Sequence, residues 1–194
     1  FWKDVRNKKN GASRFLLNKK HLQPGQTIVE ASTGSMADAL AGEAKLRGLN
    51  VIIFANFFNK NTPLGKNLSY AKVLTPVNPY SDVADILFYA EQAKAFARKH
   101  GYCYLGQFED PNHCIYYQNI LNRELTNFET KIDIYIDRVG TGATLKGFGS
   151  ALREKFPALE VYTENKDHLA DKSIFLRDFN YKILPFTHEQ INKR

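Results

Sequence analysis

The chain has 194 residues, of which 43% are hydrophobic and 24% are charged. This composition is typical of a globular protein with one domain or two small ones, and it excludes a disordered or collagen-like chain. The 27 basic and 20 acidic side chains give a net charge of +7, and the two signs are interleaved along the chain. Interleaving favours an ordinary solvated surface and no nucleic-acid partner, with nonspecific binding of a polyanion as the weaker alternative.

Membrane, disulfide and metal-site proteins are disfavoured as well. No apolar run approaches the roughly 20 residues that a membrane-spanning helix needs. The only cysteines, Cys103 and Cys114, are too few for a disulfide framework, and their spacing is not that of a metal site. We therefore expect no membrane, no metal and a cytoplasmic location. Because residue 1 is Phe rather than Met, an organelle-targeting segment upstream of it stays open.

Strands and helices are predicted to alternate along the chain. In chain order, the patterns predict a strand at 27–31, a helix at 36–47, strands at 50–55 and 70–74, a helix at 83–99, a strand at 102–105, a helix at 115–127, a strand at 132–139, a helix at 144–156 and a strand at 160–163. This alternation predicts an α/β fold with a mostly parallel sheet and helices on both of its faces. Ligands bind such sheets at the carboxyl ends of strands, in the turns that lead into helices.

The later of two unusual turns lies between the predicted strand at 132–139 and the helix that follows it. It consists of Gly140, Thr141, Gly142, Ala143 and Thr144. Small residues let a backbone approach a ligand closely, and the N–H groups that open a helix attract anions. The turn predicts a phosphate cradle, with a tight turn that binds nothing as an equal alternative.

The earlier turn follows the predicted strand at 27–31 and consists of Ser32, Thr33, Gly34 and Ser35. Its hydroxyls at a helix N-terminus can hold a carboxylate or a phosphate. An ordinary N-cap is the stronger interpretation of this turn taken alone, because Ser and Thr are favoured there. Two such turns in one chain favour a small polyanionic ligand.

Two blocks of the sequence, 24–48 and 107–163, resemble cysteine synthase and its relatives. The first block is similar to the family segment that carries the Thr-Ser-Gly-Asn-Thr-Gly substrate loop. The second runs from Gln107-Phe108 through a helix to the counterpart of the Gly-Thr-Gly-Gly-Thr phosphate loop. This family is the fold type II group of pyridoxal-phosphate (PLP) enzymes, so the resemblance implies the tryptophan synthase β-like fold and PLP as the cofactor. The resemblance covers most of residues 7–163.

The resemblance also implies a lysine that bonds the cofactor covalently. Residues 8–12 match the family's Lys-Asp-Arg-Gly-Ala motif and point to Lys8, with Lys9 as the second candidate. Lys9 and Asn10 replace the Asp and Arg of the motif. The alternative is that both lysines are ordinary surface residues.

Further site residues follow from the same resemblance. Gly140, Thr141, Gly142, Ala143 and Thr144 are implied to bind the cofactor phosphate, with Ala143 in place of a family glycine. Ser32, Thr33, Gly34 and Gln107 are implied to bind the substrate carboxylate. Ser35 replaces the family asparagine that contacts the cofactor ring hydroxyl, and its side chain is shorter.

The implied reaction is a PLP-dependent β-replacement or β-elimination on an amino acid of the O-acetylserine or serine type, carried out by a homodimer. The exact substrate and nucleophile stay open. Residues 1–34 and 101–163 are expected to form a discontinuous cofactor domain, 35–100 a smaller mobile domain, and 164–194 a polar tail. Family segments before the lysine and after residue 163 lack counterparts, so we expect a chain that is incomplete at both ends or a reduced relative. The alternative is a catalytically degenerate member that acts as a binding or scaffold protein.

Overall fold

The chain divides into an N-terminal unit, Phe1–Gln107, and a C-terminal unit, Phe108–Arg194. The structure is a computed structural model. It describes residues 5–32, 34–55, 68–76, 86–164 and 169–184, with side chains for the same ranges except 5–8 and 169. The discontinuous domain assignment inferred from the sequence stays a prediction.

Four parallel strands form the sheet of the N-terminal unit. The described elements of this unit are α1 (Val5–Lys20), β1 (Thr27–Ala31), α2 (Ser35–Leu46), β2 (Asn50–Phe54), a 3₁₀ turn (Leu68–Tyr70), β3 (Lys72–Leu74), α3 (Ile86–His100) and β4 (Cys103–Tyr104). The strand order is β3-β2-β1-β4, so β1 and β2 are central. Central strands are buried on both faces, which explains their nearly continuous apolar sequences.

Helix α1, which the sequence patterns did not predict, packs against α2. Ala12, Leu16 and Leu17 are buried at spacings of one helical face. Burying each leucine contributes on the order of 2 kcal/mol to folding. An ion pair reinforces the contact, because the buried carboxylate oxygen Oε1 of Glu43 on α2 lies 3.2 Å from Nε of Arg14 on α1. Helix α1 thus belongs to the core of the N-terminal unit.

The C-terminal unit contains a second parallel sheet, in the order β5-β6-β7. Its described elements are α4 (Asn112–Glu124), a 3₁₀ turn (Leu125–Asn127), β5 (Ile134–Arg138), α5 (Ala143–Lys155), β6 (Glu160–Glu164), α6 (Leu169–Lys172) and β7 (Lys182–Ile183). The α/β class and the parallel pairing are confirmed. The described strands lie in two sheets rather than one, a partition that local patterns do not encode.

Helices α4 and α5 pack closely at Gly147. A Cβ atom at this position would lie 2.5 Å from the carbonyl oxygen of Cys114 and 2.7 Å from the Cβ of Tyr117. Only glycine permits this approach of the two backbones. The contact fixes α5, and with it the turn that opens α5.

Candidate functional site

The turn between β1 and α2 is organised by the hydroxyl oxygen of Ser32. This oxygen accepts the backbone N–H of Ala37 at 3.2 Å and that of Gly34 at 3.4 Å. Ser32 therefore accepts N–H groups at the start of α2 from within the loop, while the N-cap position itself is Gly34, and its O–H remains able to donate. Gly34 and Ser35 open α2, where the first N–H groups of a helix lack intrahelical acceptors. Thr33 lies outside the described residues.

Gln107 lies next to this turn, three residues after the end of β4. Its side chain is buried, and its Nε2 donates to the carbonyl oxygen of Ala31 at 2.6 Å. The residue following Ala31 is Ser32, so the structure brings two of the predicted substrate-binding residues together. Their roles in binding remain predictions.

Glu30 joins these two segments, and no sequence motif predicted this role. Its side chain is fully buried at the end of β1. Burial raises the pKa of Glu30 to about 7, although hydrogen bonds from the backbone of Gln107, Ala31 and Gly106 and the charge of Lys20 lower it. The signal in the sequence was a glutamate inside an otherwise apolar, buried strand, since carboxylates are rarely buried without partners.

The turn between β5 and α5 has the features of an anion cradle. Gly142 precedes the helix with φ of +88°, a conformation that favours glycine. The hydroxyl oxygen of Thr141 accepts the N–H of Ala143 at 3.2 Å, which braces the loop. The first turn of α5, all of it described, contains Lys146 and no acidic residue. The N–H groups at the helix start and the positive end of its dipole face any bound anion.

The segment 169–184, for which no role was predicted, adjoins this turn at Ser173 and Leu176. The hydroxyl of Ser173 donates to the carbonyl oxygen of Thr141 at 2.7 Å. A Cβ atom on Gly142 would overlap Ser173 Oγ and lie 3.0 Å from Leu176 Cγ. The geometry of the cradle therefore depends on the segment that follows β6.

The two candidate cofactor lysines lie on α1. The side chain of Lys8 is outside the described residues, so its surroundings are not defined. Lys9 is half-buried. The choice between them, and the surface alternative, stay predictions.

The described residues contain no group of three or more His, Cys, Asp or Glu side chains that could hold a metal ion. Within the same ranges, every helix is too short or too polar to span a lipid bilayer. Cys114 is buried, and burial raises the pKa of its thiol to about 11. This thiol is therefore neutral near pH 7 and a poor nucleophile.

Comparison with known proteins defines the class to which this fold and these turns belong. Residues 7–170 match the family described as "Pyridoxal-phosphate dependent enzyme". The chain belongs to this family, so the resemblance inferred from the sequence is confirmed. Pyridoxal phosphate is the cofactor of the family.

Particular relatives are enzymes of amino-acid metabolism. The chain is 31% identical over 144 residues to cysteine synthase of Staphylococcus aureus (strain Mu50 / ATCC 700699), covering 72% of this chain and 45% of that enzyme. It is 30% identical to O-ureido-L-serine synthase of Streptomyces lavendulae, covering 72% of this chain and 43% of the relative. The chain thus spans about half the length of these relatives.

A solved structure shows the same fold. The hydrogen sulfide-producing enzyme of Fusobacterium nucleatum superposes with a TM-score of 0.72 at 21% identity, covering 91% of this chain and 61% of that one. At this identity the similarity shows the fold and not the reaction. The predicted tryptophan synthase β-like architecture is thereby confirmed.

Proposed function

We propose that this chain serves in PLP-dependent β-replacement or β-elimination on an amino acid of the O-acetylserine or serine type. The observation that carries the proposal is the pair of strand-to-helix turns, Ser32–Ser35 and Gly140–Thr144, on a chain of this family. Both turns follow parallel strands, which is where α/β folds bind ligands. The similarity to cysteine synthase of S. aureus supports the amino-acid class of substrate.

Gly140–Thr144 fits the cofactor phosphate. The turn offers backbone N–H groups at the start of α5, a threonine hydroxyl at Thr144 and the nearby charge of Lys146. Each of these donors attracts an anion. When bound, PLP withdraws electrons from the α-carbon of the amino acid, which eases loss of the α-proton and of the β-substituent.

The remaining residues bind the substrate and move protons. Ser32, Thr33, Gly34 and Gln107 would hold the substrate carboxylate, and Ser35 would take the place of the family asparagine that contacts the ring hydroxyl of the cofactor. The Nζ amine of Lys8 would hold the cofactor and would take the α-proton of the substrate, with Lys9 as the alternative. A neighbouring ammonium would favour the neutral, nucleophilic form of this amine.

A second candidate function is a catalytically degenerate family member that binds or scaffolds. The arrangement of Gln107 favours it, because its side-chain Nε2 already donates to the carbonyl oxygen of Ala31. The shorter Ser35 in place of the family asparagine favours it as well. The two candidates differ in whether a lysine reacts with the cofactor.

Spectroscopy and covalent trapping test the proposal. The purified chain is incubated with PLP, its visible absorption is recorded, and borohydride then fixes any lysine adduct for peptide mass mapping. We expect a trapped adduct on the peptide that contains residue 8, lost in Lys8→Ala and retained in Lys19→Ala, an exposed lysine on the same helix. An adduct that survives in Lys8→Ala and is lost in Lys9→Ala assigns Lys9. No adduct in a folded wild-type chain favours the degenerate member.

The organisation of the protein is part of the same proposal. We propose a homodimer in the cytoplasm, with 1–34 and 101–163 as the cofactor domain and 35–100 as the mobile substrate-side domain. Sedimentation with and without PLP measures the oligomeric state.

A further inference from the structure

The carboxylate of Glu30 ties together the ends of two neighbouring strands. Its Oε1 accepts the N–H of Ala31 on β1 at 2.7 Å. Its Oε2 accepts the N–H of Gln107, just beyond β4, at 2.9 Å. One buried group thus contacts the segment leading into the Ser32 turn and the segment that carries Gln107.

This contact replaces a bond that a regular sheet would make. The N–H of Leu105 donates to the carbonyl oxygen of Val29 at 3.1 Å, as parallel pairing requires. In an evenly spaced ladder, the N–H of Gln107 would donate next to the carbonyl oxygen of Ala31. Instead, the Glu30 carboxylate accepts the N–H of Gln107, and the side-chain Nε2 of Gln107 donates to the carbonyl oxygen of Ala31.

The backbone at Gly106 permits Gln107 to leave the regular hydrogen-bond ladder. Gly106 has φ of +78°, which turns the chain between Leu105 and Gln107. Only glycine adopts this conformation without strain. The ladder therefore stops at a defined place, where two side chains hold the strand ends in place of a backbone bond.

We infer that Glu30 is a positioning residue, whose buried carboxylate fixes the backbone at Ala31 and Gln107 and thereby orients the Ser32 turn and the Gln107 amide. The ligand that these groups would hold, an amino-acid carboxylate, rests on the proposed function. The positioning itself is tested without a ligand.

Protonation of Glu30 offers a direct probe. The ionised carboxylate can accept on both oxygens, whereas the protonated group carries a hydrogen on one of them. The titratable groups that act on it are Lys20, which lowers its pKa, and Cys103 of β4. Burial raises the pKa of the Cys103 thiol, so the thiol is neutral near pH 7. Glu30 therefore changes charge near neutral pH, where its pKa is about 7.

The first experiment follows the backbone amides by ¹⁵N–¹H NMR on the full chain from pH 5 to pH 9. We expect the amides of Ala31, Gly106 and Gln107 to titrate together with a midpoint near pH 7, and those of Ser32 and Gly34 to follow. In Glu30→Gln the shared titration should vanish, and the Ser32 and Gln107 signals should move. Glu43→Gln, which removes a buried carboxylate on α2 of the same unit, should leave both unchanged.

Two results would overturn the inference. One is a wild-type chain in which the amides of Ala31 and Gln107 show no common titration at any pH at which the chain stays folded. The other is a folded Glu30→Gln in which the Ser32 and Gln107 signals stay in place. If Glu30→Gln does not fold, the wild-type titration decides, since it needs no substitution.

A ligand measurement connects the inference to the proposed function. The affinity of the PLP-loaded protein for L-serine is measured for wild type, Glu30→Gln and Glu43→Gln. We expect about tenfold weaker binding in Glu30→Gln, the effect of losing charge-assisted hydrogen bonds, and no change in Glu43→Gln. Equal affinity in Glu30→Gln and wild type contradicts the positioning role. Absence of L-serine binding in wild type contradicts the proposed substrate, while the NMR titration still decides the role of Glu30.

Discussion

Replacing Gly142 by alanine should damage the Gly140–Thr144 turn in two separable ways. The residue has φ of +88°, a left-handed conformation that disfavours any side chain. The new Cβ would also overlap Ser173 Oγ and press on Leu176. Both effects act in the folded state, so Gly142→Ala should lower the free energy of unfolding and weaken PLP binding.

The size of the effect follows from its two parts. A left-handed conformation costs a residue with a Cβ about 1–2 kcal/mol. Forcing an extra carbon into a packed site typically costs about 1–3 kcal/mol more. We therefore expect Gly142→Ala to destabilise the C-terminal unit by about 3 kcal/mol.

Native-state urea titration by amide NMR measures this in each unit separately, using signals from α5 and β6 for the C-terminal unit. Gly25→Ala is the matched control, because Gly25 has φ of +85° and nothing within 4 Å of the added Cβ. It should cost only the backbone part, about 1–2 kcal/mol, read from β1 and α2. Gly142→Ala combined with Ser173→Ala should cost less than the sum of the two single substitutions, because Ser173→Ala removes the nearest clashing atom along with the bond to Thr141. The reasoning is refuted if Gly142→Ala costs no more than Gly25→Ala.

Three further predictions concern other parts of the fold. The pKa of Glu30 is raised from 4.5 to about 7 in the folded state. Its contribution to the free energy of unfolding should therefore be greatest below pH 4.5 and decline by about 3 kcal/mol as pH rises through 7. Urea unfolding at several pH values should show this decline in wild type and a smaller one in Glu30→Gln. Glu43→Ala should lower the free energy of unfolding by about 1–2 kcal/mol, measured by thermal unfolding. Glu43 Oε1 lies 2.8 Å from Arg47 Nη2, but the side chain of its other partner, Arg14, is 61% exposed, so the expected loss is modest. Gly147→Ala should destabilise the C-terminal unit by more than 2 kcal/mol and broaden the α4 and α5 amide signals, because the added carbon meets the backbone of α4; an unchanged spectrum would contradict that packing.

Most strands and helices were predictable because their residues carry a local pattern. The strand predicted at 27–31 coincides with β1, and the helix predicted at 36–47 differs from α2 by one residue at each end. The helix predicted at 115–127 begins three residues earlier, at Asn112. There the carboxylate of Asp110 accepts the N–H of Asn112 at 3.0 Å and caps the helix start.

Other elements lacked a local pattern. Helix α1 has Gly11 in its middle and no acidic residue in its first turn, so its stability comes from burying leucines against α2. Strand β7 is two residues long and forms only by pairing with β6. The division into two sheets also depends on contacts between distant residues.

The turns of the candidate site were predictable, and the contacts that shape them were not. Gly and hydroxyl residues between a strand and a helix mark Ser32–Ser35 and Gly140–Thr144. The bond from Glu30 to Gln107 spans 77 residues, and the bond from Ser173 to Thr141 spans 32. A single sequence, considered without an alignment, does not indicate which distant residues are in contact.

The cover that Ser173 and Leu176 provide has a consequence for synthesis on the ribosome. Thr141 leaves the exit tunnel 32 residues before Ser173. At a translation rate of roughly 5–20 residues per second, Ser173 emerges about 2–6 s after Thr141. During this interval Gly142 lacks its neighbours Ser173 and Leu176. The Gly140–Thr144 turn is thus completed after its own strand and helix have emerged, and a pause in translation after β6 would prolong its incomplete state.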